Sequence, residues 1–95
     1  MRVVDYDPHD WFLFECEDGL LLDVNCDHSA VGYSVLIPLN GDETAQFAAL
    51  GKAYLNDLAQ AIHYAGPGSS LQSRSVLKEY GERCREAVKE WRAAQ

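Results

Sequence analysis

Basic residues are almost missing from the first 45 positions of this chain. Arg2 stands alone there against ten carboxylates, Asp5, Asp7, Asp10, Glu15, Glu17, Asp18, Asp23, Asp27, Asp42 and Glu43, which leaves that segment at net charge −9 and the remaining fifty residues at +2. An imbalance of this size makes one half of a small protein a concentrated negative surface and points to the charge of a partner. With no basic patch and an isoelectric point near 4.7, the chain is a poor ligand for nucleic acid or for anionic membranes, both of which repel negative surfaces. Long apolar runs are missing too: none exceeds four residues, far below the roughly 20 that cross a bilayer. Met1-Arg2-Val3-Val4-Asp5 shows no basic-then-apolar leader. The three cysteines, Cys16, Cys26 and Cys84, form no CxxC pair. An odd, scattered set argues against a secreted disulfide framework and favours a reducing, cytoplasmic setting.

The common catalytic signatures are also lacking. No GxGxxG, P-loop, GxSxG or HExxH pattern occurs, and Gly66-Pro67-Gly68 has no lysine with which to hold a phosphate. Asp23-x-Asn25-x-Asp27 resembles the opening of a calcium loop, but His28 stands where the turn needs glycine and Ser34 where a bidentate glutamate belongs. Strand alternation accounts for that spacing without a metal. Cys26, Asp27 and His28 have the residue types of a thiol nucleophile and its base, yet neighbours on a strand point to opposite faces, so Cys26 reads as core. A zinc site drawn from the three cysteines with His9, His28 and His63 lacks the short paired spacing of such sites. No catalytic residue, cofactor or metal ligand is therefore expected.

What the sequence does contain is enough for one folded domain. In its 95 residues, 47% are hydrophobic and 24% charged, an ordinary globular balance. Trp11 to Cys16 and Leu20 to Asp27 read as two strands around Glu17-Asp18-Gly19. A three-residue loop ending in Gly19 pairs Cys16 with Leu20, Phe14 with Leu22 and Phe12 with Val24, gathering one apolar face. A third strand over Tyr33 to Leu39 pairs Val24 with Val35 and Leu22 with Ile37, and Pro38 places it at an edge or its end. Arg2 to Tyr6 offers a fourth. Asn40 to Glu43 has the form of a capping box, opening a helix over about 42 to 64 with Phe47, Leu50, Tyr54, Leu58 and Ile62 on one stripe. After the Gly66 to Ser75 loop, a second helix carries Leu77, Tyr80, Cys84, Val88 and Trp91. Gly51 and Gly81, inside these helices, fit either close helix approach or tolerated exposed glycines. The predicted fold is α+β: a three- or four-stranded antiparallel meander with two helices packed on one face.

On that arrangement the other sheet face, with Trp11, Leu13, Leu21 and Leu36 among Glu15, Asp23, Asn25 and Ser34, is left for a partner or for a second copy of the chain in a homodimer. The aromatic hairpin Trp11-Phe12-Leu13-Phe14 leads into the Leu22-Asp23-Val24-Asn25-Cys26 strand and the polar His28-Ser29-Ala30-Val31-Gly32 loop. With the Leu50-Gly51-x-x-Tyr54-Leu55 helix, the whole resembles the small bacterial immunity proteins that neutralise polymorphic or contact-dependent toxins. The resemblance implies a non-catalytic protein that binds a cognate toxin, often a basic nuclease, by presenting acids where the toxin expects phosphate. The candidate contact residues are Glu15, Asp18, Asp23, Asn25, Asp27 and His28. Two other readings are a small enzyme or ligand-binding protein using Tyr33, His63, Tyr64 and Arg74 near the loop after the first helix, and an accessory assembly subunit.

Overall fold

Four strands, β1 (Arg2–Asp7), β2 (Trp11–Cys16), β3 (Gly19–His28) and β4 (Val31–Pro38), form one antiparallel sheet in sequence order. The computed structural model describes residues 1–8, 10–28 and 31–95. Leu22 pairs with Ile37 and Val24 with Val35 across β3 and β4, as expected. The β2–β3 hairpin differs from expectation. Its loop is the two-residue turn Glu17-Asp18, with Cys16 opposite Gly19, Phe14 opposite Leu21 and Trp11 opposite Val24. That one-residue change of register exchanges the faces of β2 relative to β3.

The exchange is tolerated because both faces of the sheet are buried. Trp11, Leu13, Leu22, Val24, Cys26, Val35 and Ile37 pack on one face against Leu55, Ala59 and Ile62. Phe14, Leu21 and Leu36 pack on the other against Cys84 and Ala87. The α+β meander stands, but the expectation of two helices on one face is corrected: the helices divide between the faces. The strand centres Phe12-Leu13-Phe14, Leu20-Leu21-Leu22 and Val35-Leu36-Ile37 are apolar without alternation, which suits strands covered twice.

The helical half begins with the expected cap. Asn40 Oδ1 accepts from the Glu43 amide at 2.8 Å and Glu43 Oε1 accepts from the Asn40 amide at 2.9 Å, satisfying two of the open amides at the start of α1 (Gly41–Leu50). The predicted single helix is interrupted. Gly51, at φ 67° and ψ −144°, separates α1 from α2 (Lys52–Ala65), and a Cβ built there would meet nothing within 4 Å. Backbone conformation, not close helix approach, explains this glycine. Gly51→Ala is expected to lower stability by about 1–2 kcal/mol, read as a lower urea midpoint with unchanged slope.

From α2 the chain crosses the outer edge of β4 to reach the opposite face. The strap is pinned at several points. Gln72, buried in a single 3-10 turn over Gln72–Arg74, donates to the Ile62 carbonyl at 2.8 Å and accepts from the Tyr33 hydroxyl at 2.8 Å. Leu36 N–H donates to Ser75 Oγ at 3.0 Å, and Val76 N–H donates to the Leu36 carbonyl at 2.8 Å. These bonds close part of an otherwise open sheet edge. α3 (Leu77–Ala93) then lies on the second face, where Trp91 meets Tyr6 and Phe12 edge-on with centroids 4.8 and 5.6 Å apart. Among the described residues, no helix is long and apolar enough to cross a membrane.

Candidate functional site

The strand-half acids lie mainly at the two ends of the strands, with Asp5 and Asp23 between them. At the β2–β3 turn they are engaged by the chain's own residues. Arg2 pairs with Glu15 at 2.7 Å, Arg83 of α3 holds both oxygens of Glu17 at 2.8 and 2.9 Å, and the Tyr80 hydroxyl donates to Asp18 at 2.6 Å. The Arg83 hydrogen bonds keep the Glu17 carboxyl down at about 2, while Asp18 pushes the Tyr80 phenol above its ordinary value. Exposed pairs of this kind add little stability, because water and salt screen them. The two arginines do offset the charge of Glu15 and Glu17 that a partner would feel, while Asp18 keeps its own.

At the other end Asp10 and Asp27 are exposed and Asp7 is half-buried. The β1–β2 connection folds onto β3, with Asp10 N–H donating to the Asp7 carbonyl at 3.0 Å and Asn25 N–H donating to that of Asp10 at 2.9 Å. Behind it, Trp11 is only 1% exposed, and its indole N–H reaches Asn56 Oδ1 of α2 at 2.9 Å. Lys52 Nζ sits 5.8 Å from the Tyr6 ring centroid and 5.7 Å from that of Trp11, a cation–π arrangement. Between these elements is a half-open cleft of about 350 Å³ lined by Asp7, Asp10, Trp11, Asn25, Asn56, Gln60, His63 and Tyr64. Tyr64 is 82% exposed. Among the described residues, no basic side chain forms an ion pair with Asp7, Asp10 or the exposed Asp27.

The six predicted contact residues are therefore not one patch. Glu15 and Asp18 lie at the turn and have partners there. Asn25, hydrogen-bonded with Ser34 at 3.2 Å, and Asp27 lie toward the cleft end. Asp23 sits between them, largely buried beneath α3, where loss of hydration raises its carboxyl to about 6. The His28 side chain lies outside the described residues, as do His9 and residues 29–30. The sheet face expected to be free, with Trp11, Leu13, Leu21 and Leu36, is buried on one side or the other of the sheet. Asp7 and Asp10 were absent from the predicted contact set. Their signal was the pair of acids Asp7 and Asp10 set directly before Trp11.

The groups of the pocket reading are also dispersed. His63 and Tyr64 line the cleft, Arg74 is bound to Glu43 and to the Pro38 carbonyl, and the Tyr33 hydroxyl is bound to Gln72. Cys26 and Cys84 are buried, which pushes both thiols up, Cys84 to about 12, and a thiol held protonated is a poor nucleophile. Among the described residues, no group of three or more His, Cys, Asp and Glu side chains is placed to hold a metal ion.

Fold and site together define a small α+β protein with its sheet covered on both faces and an open acidic cleft at one end. Compared with models of protein families, with curated proteins and with solved structures, the chain matches none.

Proposed function

We propose that this chain is a non-catalytic, immunity-type protein of the cytoplasm that binds and neutralises a cationic toxin. The docking end is the one bearing Asp7, Asp10 and Asp27. The observation that carries this reading is the contrast in pairing between the two acidic ends. Glu15 and Glu17 at the turn are matched by Arg2 and Arg83, whereas Asp7 and Asp10 of the cleft and Asp27, at the same end of the strands on the α3 face, have no such mates among the described residues. Unmatched like charges on a small surface repel one another, and a partner's lysines and arginines would relieve that repulsion while being steered toward it. The exposed Tyr64 beside the cleft offers a face on which a guanidinium can stack.

The test uses the product of a neighbouring toxin gene from the native host and follows association by stopped flow over a range of salt. Changing Asp7, Asp10 and Asp27 together to Asn should slow association about tenfold at low ionic strength and flatten its salt dependence. Glu15→Gln with Glu17→Gln should leave both nearly unchanged. The reverse pattern would move the docking site to the turn, and no effect from either set would remove acidic docking altogether.

A further inference from the structure

A second cavity, apart from the docking end, lies between α3 and the β3–β4 ladder. Its volume is about 390 Å³ and its walls include Asp23, Ser34, Leu77, Gly81, Arg85 and Val88. Three features of these walls bear on what the cavity could hold. Asp23 Oδ1 is buried and makes no hydrogen bond, which is uncommon for a native polar atom. Arg85, solvent-exposed at the rim of the same cavity, lies beyond ion-pair distance of Asp23, and no carboxylate among the described residues is paired with it. Gly81 stands in the middle of α3 with no positive φ to require it. A Cβ there would meet Leu77 Cδ1 at 3.4 Å and Arg85 Nη1 at 3.6 Å, so the glycine keeps this part of the wall open beside the guanidinium.

We infer that this cavity binds a small zwitterion of the α-amino acid class, with its ammonium on Asp23, its carboxylate on Arg85 and an aliphatic side chain between Leu77 and Val88. The volume suits a small ligand. A water molecule could donate to Asp23 but brings no charge to neutralise it, and a simple cation would make no use of the guanidinium that Arg85 holds at the rim. A ligand carrying both charges satisfies both groups at once, and hydrogen bonds to charged groups are the stronger kind. The site shares no acidic residue with the proposed docking end, so either proposal can fail without the other.

The experiment is thermal unfolding and calorimetric titration of the full chain at neutral pH with L-leucine, N-acetylleucine and leucinamide. Leucine should raise the melting temperature in a saturable way. The two blocked forms, each lacking one charge, should bind at least about tenfold more weakly. Asp23→Asn and Arg85→Gln should each abolish the leucine response while the proteins stay folded, which the amide NMR spectrum monitors. The inference is overturned if millimolar leucine gives no saturable shift, if the blocked forms bind equally, or if either variant responds like the parent. It is also overturned if Arg85→Gln destabilises the ligand-free protein at neutral pH, since Arg85 would then be pairing with Asp23 directly.

Discussion

Arg74→Ala is expected to cost about 2–3 kcal/mol of folding stability, more than any surface charge change in this chain. The guanidinium donates to both oxygens of Glu43 at 2.9 and 2.7 Å and to the Pro38 carbonyl at 2.7 Å. It thereby ties three segments together: the strap after α2, the cap of α1 and the end of β4. The ion pair is partly sheltered, with side-chain exposures of 29% for Arg74 and 13% for Glu43. Breaking a fully buried pair costs about 3–5 kcal/mol because one charge is left uncompensated, and partial exposure reduces that figure. The Arg74 hydrogen bonds hold the Glu43 carboxyl below its ordinary value, so the pair's contribution is present above the unfolded carboxylate pKa and is lost as pH falls through the folded one. In urea titrations the variant should be weakened most at neutral pH, and its deficit should shrink in acid. Arg74→Lys should recover only part of the loss, since an ammonium cannot bridge both oxygens and the carbonyl in one fork. Full recovery by lysine would reduce the interaction to simple charge.

How much of this was legible depends on the range of the interaction. The Asn40–Glu43 capping box was readable because both partners lie within one turn. The β3–β4 register was readable because Leu22, Val24, Val35 and Ile37 all belong to one face. The β2–β3 register was not, and the reason is physical. Alternation selects a register only when one face is wet, and here Trp11 and Leu13 are as apolar as Phe12 and Phe14. The pattern is then compatible with either parity, and the choice passes to the turn. Three unbroken apolar strand centres were the available sign of burial on both sides, and they foretell a helix on each face. The break at Gly51 was hidden because a mid-helix glycine is read the same way whether its φ is negative or positive.

The candidate site was legible as a charge excess and not as a place. Composition gives the number of carboxylates, but the arginine that answers Glu17 lies 66 positions away, and only folding decides which acids remain unmatched. Asp23, Asn25 and Asp27 do alternate along β3 as the spacing implies. α3 then crosses that face at Asp23 and leaves Asp27 exposed, a division set by the strap around β4. The docking proposal consequently shifts from a row along the strand to its far end, where the acidic connection before Trp11 joins it.

Asp23→Asn is expected to stabilise the protein at neutral pH by about 2 kcal/mol, an unusual direction for a change beneath a helix. Burial raises the Asp23 carboxyl from 3.8 to about 6, so the folded state holds its proton more tightly than the unfolded chain does. The stability this proton provides is complete below pH 4, declines as pH rises through 6 and is lost above it. A difference of about two pKa units corresponds to about 3 kcal/mol, reduced here because the group is not wholly enclosed. The groups around it do not offset that loss. Phe12 and Leu36 flank it on β2 and β4, Ser34 is neutral, Cys84 is a protonated thiol, and Arg85 of α3 makes no ion pair with it. Asparagine removes the titration and keeps the shape. Its melting temperature at pH 8 should exceed the parent's by on the order of 10 °C, and the two should converge near pH 4. A parent whose stability is flat between pH 4 and 7 would mean that Asp23 is neutralised within the fold, with Arg85 the nearest candidate. A parent that loses stability over that range carries an uncompensated charge under α3, and a cationic group entering the cavity would restore what the proton provides in acid.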